Sequence, residues 1–232
     1  SDPHVPNEAT RNLWLASLAA SWKGRLSLDA LDSRGTDWPW LLQAAKRHRI
    51  LESVCCVWDT LPDVPDAIKC QSWMASEKAR HRGEAVRQAL NELQGVADRH
   101  GLQIVVLKSP TYLTEASFGF DKRYVQDIDL LVHETDLDIL RREIECLGYQ
   151  GEGRRRRHKG REWLFRRGDM LIEVHLSASN RRRFQTRLST DAIIGRAGPF
   201  DLHPPLLRMA HTDDAIVLAL HAYHHKYRRL LW

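Results

Sequence analysis

Asp127 and Asp129 stand two residues apart within the apolar run V-Q-D-I-D-L-L-V at 125–132. Alternate residues of a strand point to one face. A strand over Val125–Val132 therefore puts both carboxylates on one side and Ile128 and Leu130 on the other. Carboxylates roughly 7 Å apart along a strand repel each other and are costly to bury. A divalent cation resolves the conflict, because Mg²⁺ prefers hard oxygen ligands. A second segment, I-E-V-H-L at 172–176, repeats the pattern, with Glu173 and His175 on one face and Ile172, Val174 and Leu176 opposite. Taken alone, D-x-D is short and common, and it fits an exposed alternating face equally well. The apolar flanks and the repeat at Glu173 favour a site. Asp127, Asp129 and Glu173 would hold Mg²⁺ (or Mn²⁺), neutralise charge on a phosphoryl group and lower the pKa of an attacking hydroxyl. His175 is either a partner of Glu173 or a packing residue.

A second candidate is L-K-S-P at 107–110. A strand ends there and a helix is expected to begin at Pro110, with Ser109 before it as a cap. Free N–H groups and the dipole at a helix start attract phosphate, and Lys108 adds a point charge. An ordinary capped helix with a surface lysine fits the same four residues. The charge distribution offers a third feature. The chain carries +5 overall, but from Gly151 to Arg187 twelve Lys and Arg face four Asp and Glu, a local +8 that leaves −3 elsewhere. The runs Arg154, Arg155, Arg156, Arg157 and Arg181–Arg183 either form solvated loops or hold a triphosphate or an acidic acceptor. His221 and His225 share a helix face, but H-E-x-x-H is absent and no third metal ligand is evident.

The elements that must position these groups follow from periodicity. Residues 8–98 read as helices: Asn12–Trp22, then Trp40–Val57 with a break near His48, then Ala67–His100 closed by Gly101. Trp14, Trp22, Trp38, Trp40 and Trp58 lie in this part, where inter-helix packing explains them. Gln103–Leu107 and Val125–Val132 read as strands, Asp136–Cys146 as a helix, and Trp163–Phe165 with Met170–Leu176 as a hairpin. Residues 177–205 read mostly as loop. Thr212 is expected to cap a last helix running to Trp232, and the natural protein is expected to continue beyond it. The fold class is α+β, a small mixed β-sheet flanked by helices. The expected divisions are a helical N-terminal region over 1–100, a catalytic core over 101–200 and a C-terminal helical segment over 201–232. No run of about 18 apolar residues occurs, so no membrane partner is expected. The polar start lacks a secretory pattern, and four cysteines without C-x-x-C spacing suit reduced, buried thiols and a cytoplasmic setting.

V-L-K-S, Tyr112, Arg123, D-I-D-L-L-V, L-G-Y at 147–149 and I-E-V-H together resemble the bacterial uncharacterised nucleotidyltransferase family of the polymerase-β-like superfamily. W-P-W-L-L-Q-A-A-K-R-H-R-I at 38–50 and A-I-V-L-A-L-H-A-Y-H-H-K at 215–226 are similar to its flanking helices, so the resemblance spans roughly 38–232. It implies transfer of a nucleoside monophosphate from an NTP such as ATP, with release of pyrophosphate. Asp127 and Asp129 match its metal-binding carboxylates and Glu173 the third, while Lys108, Ser109 and Arg123 match phosphate-holding positions. Ser109 replaces the family's usual glycine, which lets phosphate approach more closely. Arg154–Arg157 and His175 are the acceptor-side candidates. The acceptor would be a small molecule, a peptide or tRNA. Natural-product or peptide biosynthesis, a tRNA-directed toxin and a catalytically silent nucleotide- or peptide-binding module all remain open.

Overall fold

The computed structural model describes residues 6–23, 33–112, 124–154, 162–179, 188–200 and 203–224, and the structural statements below refer to these. Contacts divide the chain into two units. One runs to Gly83 and takes in Tyr124; the other begins at Glu84 and holds the whole sheet. The division falls inside a helix, whereas the composition changes near residue 101.

The first unit is helical. It comprises α1 (Glu8–Lys23), α2 (Trp38–His48), α3 (Leu51–Trp58) and the start of α4 (Asp66–His100). Asp37 caps α2 by accepting from the Trp40 N–H at 3.0 Å, and Pro39 follows in the first turn. Arg49 turns left-handed, with φ 56°, and this splits the 40–57 rhythm into two helices. The ring of Trp38 meets Trp58 edge-on at 5.8 Å, and Trp14 meets Trp40 at 6.2 Å. Such pairs contribute about 0.5–1.5 kcal/mol beyond their buried area. Trp58 is fully buried, and its indole N–H donates to Ser17 Oγ at 3.0 Å. Of the four cysteines only Cys55 is buried, and burial pushes its thiol up to about 12. Cys56, Cys70 and Cys146 are exposed, which corrects the expectation of buried thiols.

The second unit carries a seven-stranded mixed sheet in the order β3-β4-β5-β2-β1-β7-β6. Its strands are β1 (Val105–Leu107), β2 (Asp127–Leu131), β3 (Gln150–Arg154), β4 (Glu162–Arg167), β5 (Met170–His175), β6 (Gly198–Pro199) and β7 (Leu207–Arg208). β2 pairs antiparallel with β1 and parallel with β5. Both β2 and β5 lie inside the sheet, which explains why Ile128, Leu130, Ile172 and Val174 are fully buried. Two helices join this unit ahead of the C-terminal part: α5 (Ser109–Tyr112) and α6 (Leu137–Cys146). Arg167 reaches Glu92 of α4 at 2.7 Å, and Arg99 of α4 reaches Glu143 of α6 at 2.8 Å.

Three expectations change here. Arg154, weighed as part of a solvated loop, instead ends an edge strand, Gln150–Arg154, paired with β4. The stretch 177–205 contains a helix, α7 (Thr190–Arg196), capped by Ser189, whose Oγ accepts from the Ala192 N–H. The last helix, α8 (His211–His224), starts one residue before Thr212, which therefore lies within its first turn instead of capping it. Ile193 and Ile194 of α7 and Val217 of α8 pack with Val105, Leu107, Leu131 and Met209 in one apolar cluster. Among the described residues no helix is long and apolar enough to cross a membrane.

Candidate active site

Register decides which side chains meet. β2 and β5 run parallel with Asp129 opposite Glu173, Asp127 opposite Leu171 and Leu131 opposite His175. β4 brings Glu162 opposite His175, and β1 brings Leu107 opposite Asp129. Side chains at paired positions share a face, so Asp129, Glu173, His175 and Glu162 line one side of the sheet. All four are buried, with exposures of 4%, 8%, 8% and 4% respectively.

Asp129 is held by two cationic partners. Lys108 Nζ lies 3.0 Å from its Oδ2, and His175 Nε2 lies 2.8 Å from its Oδ1. Lys108 reaches it from the residue after β1, where the backbone turns left-handed with φ 59°. That conformation costs a non-glycine residue on the order of 1–3 kcal/mol, and the ion pair with Asp129 offsets part of it. His175 also stands 3.8 Å from Glu173 Oε2 through Nε2 and 3.6 Å from Glu162 Oε1 through Nδ1.

The electrostatics follow from this packing. Burial alone raises Asp129, but Lys108 and then His175 outweigh it and hold the carboxyl well below the usual range. Burial lowers His175, yet Asp129 and Glu162 overcome it and raise the imidazole to about 9. Burial likewise works against the Lys108 ammonium, and Asp129 foremost, with Asp127 and Glu173, raises it on balance.

Asp129, Glu173 and His175 form the compact donor group, their ligating atoms all within 4.8 Å of one another. The two aspartates and Glu173 were expected to form that group. Asp127 lies two pairs along β2 on the same face, opposite Leu171, and is partly exposed. Ser109 opens the four-residue α5, one residue before the expected start at Pro110. Lys108, expected to face phosphate, is engaged with Asp129. Arg154 ends β3, while Arg123, Arg155, Arg156, Arg157, Arg181–Arg183 and His225 lie outside the described residues. Sequence reasoning missed Glu162. Counting outward from the Arg167–Met170 turn pairs residue 162 with 175, and that count was the available signal.

The profile of an uncharacterised nucleotidyltransferase family matches residues 34–232. The chain belongs to this family. Among solved structures, it is similar to the solution structure of antibiotic-resistance factor ANT(2'')-Ia, at 19% identity and a TM-score of 0.33. That likeness covers 40% of this chain and 48% of the other, so the chain spans about half the length of that structure. No curated protein matches the chain.

The donor set of this nucleotidyltransferase family member suits a divalent cation. Two buried carboxylates from neighbouring strands converge, and their ligating atoms lie within 4.8 Å of one another and of His175. Hard oxygen donors suit Mg²⁺ or Mn²⁺, and the His175 imidazole would be compatible with Mn²⁺ only once it has given up its proton.

Proposed function

We propose that this chain transfers a nucleoside monophosphate from an NTP, such as ATP, to an acceptor and releases pyrophosphate. The observation that carries the reading is the register of Asp129 with Glu173 at the buried centre of the sheet, in a chain of this family. Asp127, Asp129 and Glu173 would hold Mg²⁺ or Mn²⁺. When bound, the cation supplies charge neutralisation at the phosphoryl oxygens and acidifies the attacking group. Asp129 contributes a carboxylate kept ionised by Lys108 and His175. Lys108, Ser109 and Arg123 hold the phosphates, and Glu173 takes the proton of the acceptor as its oxygen or nitrogen bonds to the α-phosphorus. His175 and the Arg154–Arg157 run would serve the acceptor, which is a small molecule, a peptide or tRNA. A supply of NTP fits a cytoplasmic setting.

The Lys108–Asp129 ion pair favours a second reading. A catalytically silent nucleotide-binding module on the same fold would satisfy its buried aspartate in this way. Transfer of label from α-³²P-NTPs into total tRNA, peptide and small-molecule pools separates the readings. Label in one pool, lost in Asp129→Asn, supports transfer; label in tRNA alone supports a tRNA-directed enzyme or toxin. Nucleotide binding without label in any pool supports the silent module.

A further inference from the structure

Glu162 has no part in the reading above, yet it is 4% exposed and stands among three other carboxylates on one sheet face. A fourth carboxylate worsens the local repulsion unless it has a specific cationic partner. His175 is one such partner. Glu162 Oε1 lies 3.6 Å from Nδ1, within ion-pair range though longer than a hydrogen bond, while Nε2 on the other side of the ring faces Asp129 Oδ1 at 2.8 Å and Glu173 Oε2 at 3.8 Å. The imidazole therefore lies between acceptors on both sides. Pairing across β4 and β5 fixes Glu162 opposite His175, so this arrangement is set by sheet register and not by loop conformation.

We propose that Glu162 is a positioning residue that acts through His175, holding Nε2 on the Asp129–Glu173 pair and so fixing the orientation of the Asp129 carboxylate. With Oδ1 occupied by His175, Asp129 presents Oδ2, the oxygen now paired with Lys108, to an incoming cation. A carboxylate on the far nitrogen of a histidine orients the near one in the same way at metal centres, where losing it costs roughly tenfold to a hundredfold in metal affinity. The cation-binding part of the proposal rests on the functional reading above; the orientation of His175 does not.

The test uses the full chain with two readouts. In metal-free protein, long-range ¹H–¹⁵N spectra report the His175 imidazole, and Glu162→Ala is expected to move its signals, with Glu162→Gln moving them less. Mn²⁺ binding, followed by electron paramagnetic resonance without nucleotide, is expected to weaken at least tenfold in Glu162→Ala and comparably in His175→Ala. The double variant should be no weaker than His175→Ala alone, because one residue acts through the other. Additive losses, or imidazole signals that do not move in a folded Glu162→Ala protein, overturn the proposal. Shifted signals in a protein whose wild type binds no Mn²⁺ keep the Glu162–His175 pairing and remove the cation reading instead.

Discussion

His175 Nε2 meets Asp129 Oδ1 at 2.8 Å, joining side chains 46 residues apart. The contact ties the two central strands at the level of their charged residues, and Lys108 completes it from the end of β1. Asp129 is thus both a candidate ligand and the anion that balances two buried cations.

That double duty separates the two aspartates. Asp127→Asn is expected to lower transfer by more than about 10²-fold, or ~2.7 kcal/mol, with an unchanged melting temperature, since Asp127 is partly exposed. Asp129→Asn should lose transfer and also stability, because breaking a buried pair costs about 3–5 kcal/mol. Parallel turnover and thermal-melt measurements check it. Normal turnover by Asp127→Asn with Mg²⁺ would remove Asp127 from the site.

Lys108 competes with any cation for Asp129 Oδ2. Lys108→Ala should therefore bind Mn²⁺ more tightly in the absence of nucleotide and bind NTP about tenfold more weakly, as expected for losing one charged contact. Resonance and calorimetric titrations give the two affinities. Unchanged NTP affinity would confine Lys108 to balancing Asp129.

Asp214 of α8 provides a pH test. Burial raises its carboxyl from 3.8 to about 6. The folded state holds the proton more tightly than the unfolded chain, so the stability it contributes is full below about pH 4 and is lost as pH rises through about 6. Asp214→Asn should melt roughly 2–4 °C above wild type at pH 8 and level with it at pH 4. A gap independent of pH would show that ionisation of Asp214 is not the cause.

The basic segment predicts a salt effect. Replacing Arg154–Arg157 with serine should raise the KM of an anionic acceptor and flatten its salt dependence, with less change for NTP. With tRNA the wild-type slope should be steep, since several phosphates are neutralised together. Kinetics unchanged at low salt would leave these arginines a solvated run.

Sequence periodicity revealed the long helices and the strands bearing D-x-D and E-x-H, because each buries a regular apolar face. β3 escaped it because Gln150–Arg154 contains no apolar residue and pairs on one side only. α7 escaped because Pro199, Pro204 and Pro205 made the whole stretch look like loop, although Ser189 and the buried Ile193 and Ile194 mark a short capped helix. Within the site, alternation placed Asp129, Glu173 and His175 on common faces. The Lys108–Asp129 pair was not legible, since it depends on a left-handed lysine that no local propensity favours. Nor was the partnership of Glu162, which exists only once the hairpin register is counted.

β2 lies between an antiparallel neighbour, β1, and a parallel one, β5. A slip of one residue along either would turn its aspartates toward the opposite face and bring Ile128 and Leu130 to theirs. In the native alignment Asp129 gains both Lys108 and His175; in a slipped one it gains neither and is left as a bare charge in an apolar layer. The polar cluster that costs energy to bury thereby acts as a key for strand alignment. Misaligned chains are penalised at the same residues on which the proposed chemistry depends, so a chain that has mispaired its sheet has also disarmed its site.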